Sequence, residues 1–135
     1  MPSGERRIIR GAMVSVPSII SPIEAYGVFA RNVDQDSVQA IANSVAVAST
    51  HGVSHVHLMF QSTGGGIGEG IAMYYLFKSL PFDLTLYNAG SVSSIAVIAY
   101  LGAKKRKVSA HATFSIHRSA GRSHGGGGDG RGLGK

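Results

Sequence analysis

The sequence predicts one α/β domain built on a largely parallel sheet, and three observations carry that prediction. The chain has 135 residues, enough for one hydrophobic core and too few for two. Segments with a period of two alternate along it with segments of helical period, and the stretches between successive strands are long enough for crossovers. Both glycine-rich stretches in its middle fall where a strand gives way to a helix, which is where ligands gather on sheets of this kind. Apolar residues make up 44% and charged residues 15%, a globular balance everywhere except in the last fifteen positions.

The elements follow in order. "YGVFA" (26–30) reads as a short strand. Asp34 or Asp36 caps a helix whose apolar positions Val38, Ile41, Val45 and Ala48 advance by three, four and three, with Gly52 placed to end it. In "HVHLMFQ" (55–61) Val56, Leu58 and Phe60 alternate with His55, His57 and Met59, as in a strand with one buried face. That strand runs into "STGGGIGEG", after which Ile67, Ile71, Tyr74 and Tyr75 mark a second helix closed by Leu80-Pro81. "DLTLYN" (83–88) is a third strand, "SSIAVIAYL" (93–101) a third helix and "ATFSIH" (112–117) a further strand.

The formal charge of +6 is concentrated at the two ends and in the run Lys104-Lys105-Arg106-Lys107. No aromatic residue interleaves with that run to stack on bases, so it reads as a solvated loop and nucleic acid is not an expected partner. Nor is a membrane, because no run of 18 apolar residues occurs. "MVSVPSIISPI" follows three arginines as a signal peptide would, but Pro17 and Pro22 interrupt it and no small-residue cleavage site follows. The absence of cysteine excludes disulfides and thiolate metal sites and fits a reducing cytoplasm.

The first glycine-rich junction, Gly64-Gly65-Gly66 with Gly68 and Gly70, is not a nucleotide loop. The closing positions of G-x-G-x-x-G are taken by Glu69, Ile71 and Met73, and no G-x-x-x-x-G-K-[ST] occurs. The formal match at Gly125, Gly127 and Gly130 lies in low-complexity sequence with no strand before it. The loop offers instead unobstructed backbone N–H groups at the mouth of a helix, where a developing oxyanion is stabilised. The second junction, "NAGSVSSIAV" (88–97), places two serines at the start of a helix. There is no G-x-S-x-G, yet a serine there pairs a hydroxyl with the N–H of the next residue, and His117 at the end of a later strand is a candidate base. Taken alone, the same residues are better explained by capping or packing.

Taken together and in this order, the pieces resemble the proteolytic subunit of the Clp protease and its relatives. "QSTGGGIGEGIAMYYLF" is similar to the family segment S-x-G-G-x-x-x-x-G, with Ser62, Gly64, Gly65 and Gly70 at the matching places. "NAGSVSSIAVIAYLGAKKRKVSAHATFSIHRS" resembles the next family segment, in which a glycine precedes the nucleophilic serine by four residues and an I-H pair carries the catalytic histidine. Counting four from Gly90 selects Ser94, whereas counting nine back from Gly102 selects Ser93. The resemblance implies the ClpP/crotonase fold, a spiral of β-β-α units. It further implies a serine endopeptidase with nucleophile Ser94, base His117 and an oxyanion hole of the Gly65 and Ile95 N–H groups, and no cofactor or metal. Polypeptide substrates, an AAA+ unfoldase ATPase and a homo-oligomeric ring follow as expected partners, and the cytoplasm as the expected location.

On this reading residues 1–25 are an N-terminal extension, 26–119 the peptidase core and 120–135 a glycine-rich disordered tail. The family completes its triad with an aspartate beyond a long ring-packing helix. Here Asp129 is the only carboxylate after His117, and "GRSHGGGGDGRGLGK" has no apolar periodicity. The alternative expectation is therefore a catalytically impaired subunit with a structural or peptide-binding role. His55 and His57 share a strand face, but no third ligand is evident near them in sequence, so they read as a packed or solvent-facing pair. Glu69 reads as a first-turn carboxylate meeting the helix dipole, and Tyr74, Tyr75 and Phe77 as helix packing.

Overall fold

The computed structural model describes residues 4–9, 12–17 and 22–117. The chain begins with an antiparallel pair, β1 (Gly4–Ile9) and β2 (Ala12–Pro17), in the segment that the sequence leaves as an extension. The main sheet starts at β3 (Ile23–Ala30), three residues before the strand read from the sequence. Then come α1 (Gln35–Thr50), β4 (Val53–Gln61), α2 (Ile67–Lys78) and β5 (Asp83–Asn88). After these follow β6 (Ser91–Ser93), α3 (Ile95–Tyr100), β7 (Lys105–Val108) and β8 (Thr113–Ser115). Strands β3, β4, β5 and β7 lie in that order and every pairing is parallel, with α1 and α2 supplying the first two crossovers. The strands β6 and β8 form a second parallel pair.

Helix α1 forms where the 3-4-3 spacing places it. Asp34 is its N-cap and accepts from the Ser37 amide at 2.8 Å, while Ser37 Oγ accepts from the Asp34 amide at 2.9 Å. This reciprocal pair satisfies two donors that a helix start leaves orphaned. Val38 and Ile41 pack against the core from this helix. The core itself lies between the helices and the sheet face that carries Phe29, Leu58, Phe60, Leu84 and Leu86, with Phe29 and Phe60 stacked at 4.9 Å.

Three elements differ from the sequence reading. Helix α2 buries Phe77, as expected of a packing residue, together with Gly70 and Met73, but leaves Ile67, Ile71 and Tyr75 exposed. This helix is apolar nearly all round, so spacing alone does not choose a side. Ser93 belongs to a short strand rather than to the third helix, which begins at Ile95. All of the basic run but Lys104 is an edge strand rather than a loop: β7 pairs with β5, and its residues are exposed. Lys105 meets Asp83 at 3.6 Å and Lys107 lies over the Tyr87 ring. Lysines on an edge strand discourage pairing with another chain.

Tyr100 ties this edge to the core. The residue is 2% exposed, and its hydroxyl donates to the carbonyl of Lys107 at 2.7 Å, with the Leu86 carbonyl 3.4 Å away. Burial pushes the phenol pKa above its ordinary value. Tyr100→Phe removes the hydroxyl that donates to the Lys107 carbonyl, so denaturant unfolding should show a loss of about 1 kcal/mol. No change in stability would mean that water replaces the hydroxyl there.

Candidate active site

Ser94 is the N-cap of α3 and the only non-glycine residue with positive φ among the described residues, at φ 58° and ψ −134°. A side chain held in that region costs about 1–3 kcal/mol and persists only where surrounding structure imposes it. The imposing contacts are on both sides. The Ser94 amide donates to the Ser115 carbonyl at 2.7 Å, and its carbonyl accepts from the Val97 amide at 3.1 Å. A serine on a sharp strand-to-helix turn is the geometry of a nucleophile elbow, reached here without G-x-S-x-G because buried Val92 and Ala96 occupy the flanking positions. Ser93 sits differently: its amide donates to the Ser62 carbonyl at 2.9 Å, and its hydroxyl is 3.3 Å from that of Ser91.

The structure brings the glycine-rich loop against Ser94. Gly64 has φ 104°, and a Cβ on it would lie 2.8 Å from Ser94 Cβ and 3.2 Å from Ser94 Oγ. Only glycine fits both the backbone conformation and the space. Gly64 itself is positioned by its amide, which donates to buried Ser62 Oγ at 3.1 Å. The next residue, Gly65, bridges in parallel to Val33: the Val33 amide donates to the Gly64 carbonyl at 2.8 Å and the Gly66 amide to the Val33 carbonyl at 2.9 Å. In such a bridge the bonds to Val33 come from the residues either side, so the N–H and carbonyl of Gly65 point away from Val33. Ile95 is the first residue of α3, and its amide is one of the N–H groups that a helix start leaves free for a ligand.

His117 is brought to the same edge by register. Strands β6 and β8 run in parallel with Ser93 opposite Ser115, so Ser94 and His117 both follow the C-terminal ends of adjacent strands. His117 is exposed and Ser94 half-buried. Asp129 and the glycine-rich tail lie outside the described residues. Glu69 folds its carboxylate over Gly66, the N-cap of α2, as expected of a first-turn acid meeting the helix dipole. A cleft of about 270 Å³ between α1 and the sheet, lined by Ile41, Phe77 and Leu80 among others, includes none of these residues. It is apolar and carries none of the site's chemistry.

A family model described as Clp protease matches residues 23–129. The chain belongs to the Clp protease family. Solved structures of two ClpP proteases and of one further protease share the fold. A ClpP1 mutant from Listeria monocytogenes superposes with a TM-score of 0.66 at 17% identity, over 71% of this chain and 57% of that one. The ClpP protease catalytic domain from Plasmodium falciparum gives 0.63 at 20% identity, over 70% and 55%. A membrane protease specific for a stomatin homolog from Pyrococcus horikoshii gives 0.65 at 10% identity, over 73% and 51%. The chain thus spans less than two thirds of each, and the shared architecture is the ClpP/crotonase fold. No match was found among curated proteins.

Proposed function

We propose that this Clp-family chain is a serine endopeptidase in which Ser94 is the nucleophile and His117 the base. The observation that carries the reading is the strained backbone of Ser94, held at a strand-to-helix turn against the glycine loop. In the reaction Ser94 Oγ attacks a peptide carbonyl carbon while His117 removes the hydroxyl proton, and the carbonyl oxygen becomes an oxyanion. The Gly65 and Ile95 N–H groups donate to that oxygen. Collapse of the tetrahedral intermediate breaks the C–N bond as His117 returns the proton to the leaving amine, and water then hydrolyses the acyl-enzyme by the same steps.

Polypeptide substrates follow from this chemistry. An AAA+ unfoldase partner and a cytoplasmic setting belong to the same reading. Assembly into a homo-oligomer is supported by exposed apolar side chains, among them Val28, Ile71, Tyr75 and Ile116, which lie outside this chain's own core. Among the described residues no helix is long and apolar enough to cross a membrane.

The deciding experiment is incubation of the folded chain with a fluorophosphonate probe, followed by peptide mass spectrometry. The expected result is a single adduct on Ser94. A folded chain that takes up no probe would overturn the peptidase reading and favour a peptide-binding or structural subunit.

A further inference from the structure

The sheet face opposite the helices carries a polar cluster that peptide hydrolysis does not use. Parallel register sets Glu24 of β3 opposite His55 of β4, and Tyr26 opposite His57. One donor atom from each of Glu24, His55 and His57 lies within 4.8 Å of the other two. The nitrogens nearest the carboxylate are His57 Nε2, 3.5 Å from Glu24 Oε1, and His55 Nδ1, 3.9 Å from the same oxygen. We propose that Glu24, His55 and His57 form a binding site for a divalent transition metal, with Zn²⁺ the best-matched ion.

Three features of the cluster support this. The first is the second hydrogen bond of each ring. His55 Nε2 lies 2.7 Å from Thr85 Oγ1, and His57 Nδ1 lies 2.7 Å from Tyr87 Oη. With the ring proton on the outer nitrogen, an imidazole anchored in this way presents a lone pair on the inner one, the usual support for a metal-ligating histidine. The second is His57 Nε2 itself, which is buried and lacks a hydrogen-bond partner. Its 3.5 Å contact with the carboxylate is too long to be a good hydrogen bond.

The third feature is the donor set. Two imidazoles and a carboxylate suit zinc, with the fourth position open to water. Bonds of 2.0–2.1 Å in a tetrahedron put donors roughly 3.3 Å apart, so Nε2 of His57 and Oε1 of Glu24 are already near that spacing. His55 stacks on His57 at 4.1 Å between ring centres and closes on the ion by tilting its ring, with the exposed Glu24 side chain following. The ion would clamp edge strand β3 to β4.

The test is calorimetric titration of the chelator-treated full chain with Zn²⁺ alone, with circular dichroism to verify folding. The expected result is one saturable ion that raises the melting temperature and whose affinity falls at least about tenfold in Glu24→Gln and in His57→Ala. Thr85→Val, which removes only the outer hydrogen bond, should weaken it by about tenfold. Glu24→Gln is exposed and isosteric, so it keeps the fold. X-ray absorption of the zinc-loaded chain should show two imidazole ligands. Absence of saturable binding, binding unchanged in both variants, or a spectrum with fewer than two imidazoles would overturn the site.

Discussion

Ser94→Ala should reduce peptide hydrolysis to background and abolish fluorophosphonate labelling, whereas Ser93→Ala should keep both within about tenfold of the parent chain. Removing the nucleophile of a complete Ser-His-Asp enzyme costs on the order of a millionfold in kcat, and what remains comes from the oxyanion hole and substrate binding. The Ser93 hydroxyl is occupied with Ser91, and the backbone of Ser93 lies in a regular parallel ladder. The stability readout separates the two roles further. Ser94→Ala keeps a Cβ at φ 58° and should unfold within about 0.5 kcal/mol of the parent. Ser94→Gly relieves the strain and should be more stable by about 1 kcal/mol or more, yet inactive. A serine kept where glycine is more stable is a serine kept for its hydroxyl. Turnover that survives in Ser94→Ala would refute the assignment.

The parts of this molecule legible in its sequence are those in which a local pattern and a tertiary environment agree. The alternation of Val56, Leu58 and Phe60 exposes one face of β4 to the helices, and the 3-4-3 spacing of α1 points Val38 and Ile41 at the core. Where the environment is long-range, the pattern says little. Strand β6 has only three residues. What makes it a strand is its bonding to Ser62 on one side and β8 on the other, and neither contact is local. The basic run 104–107 has the composition of a loop, and the strand conformation of 105–107 comes from pairing with β5.

The same division applies to the sites. Counting along the family motif from Gly90 gives Ser94 and from Gly102 gives Ser93, and the backbone angle that sets Ser94 apart from Ser93 is a product of the long-range Ser115 hydrogen bond and the Val97 one. Glu24 was out of reach altogether. It meets the histidine pair only because β3 and β4 are in register, and no third ligand lies near His55 in the chain.

Gly65→Ala should damage stability and catalysis together, and the two losses can be measured apart. A Cβ on Gly65 would overlap the carbonyl oxygen of Val33, the atom that accepts from the Gly66 amide. Relieving that overlap separates the loop from Val33 and puts at risk the two backbone bonds of the bridge, each worth about 1 kcal/mol. Val33 immediately precedes the Asp34 cap, so the disturbance reaches the start of α1. The expected loss is about 2–3 kcal/mol, or roughly 10 °C in melting temperature for a domain of this size. Moving the Gly65 N–H off the oxyanion costs a further factor of about 10²–10³ in kcat, measured well below the melting temperature so that unfolding does not enter. Gly68→Ala is the control. A Cβ there meets nothing within 4 Å, and in the first turn of α2 alanine should gain up to about 1 kcal/mol with turnover unchanged. If Gly65→Ala melts early but the fraction still folded turns over at the parent rate, Gly65 is a hinge of the loop and the oxyanion is held elsewhere.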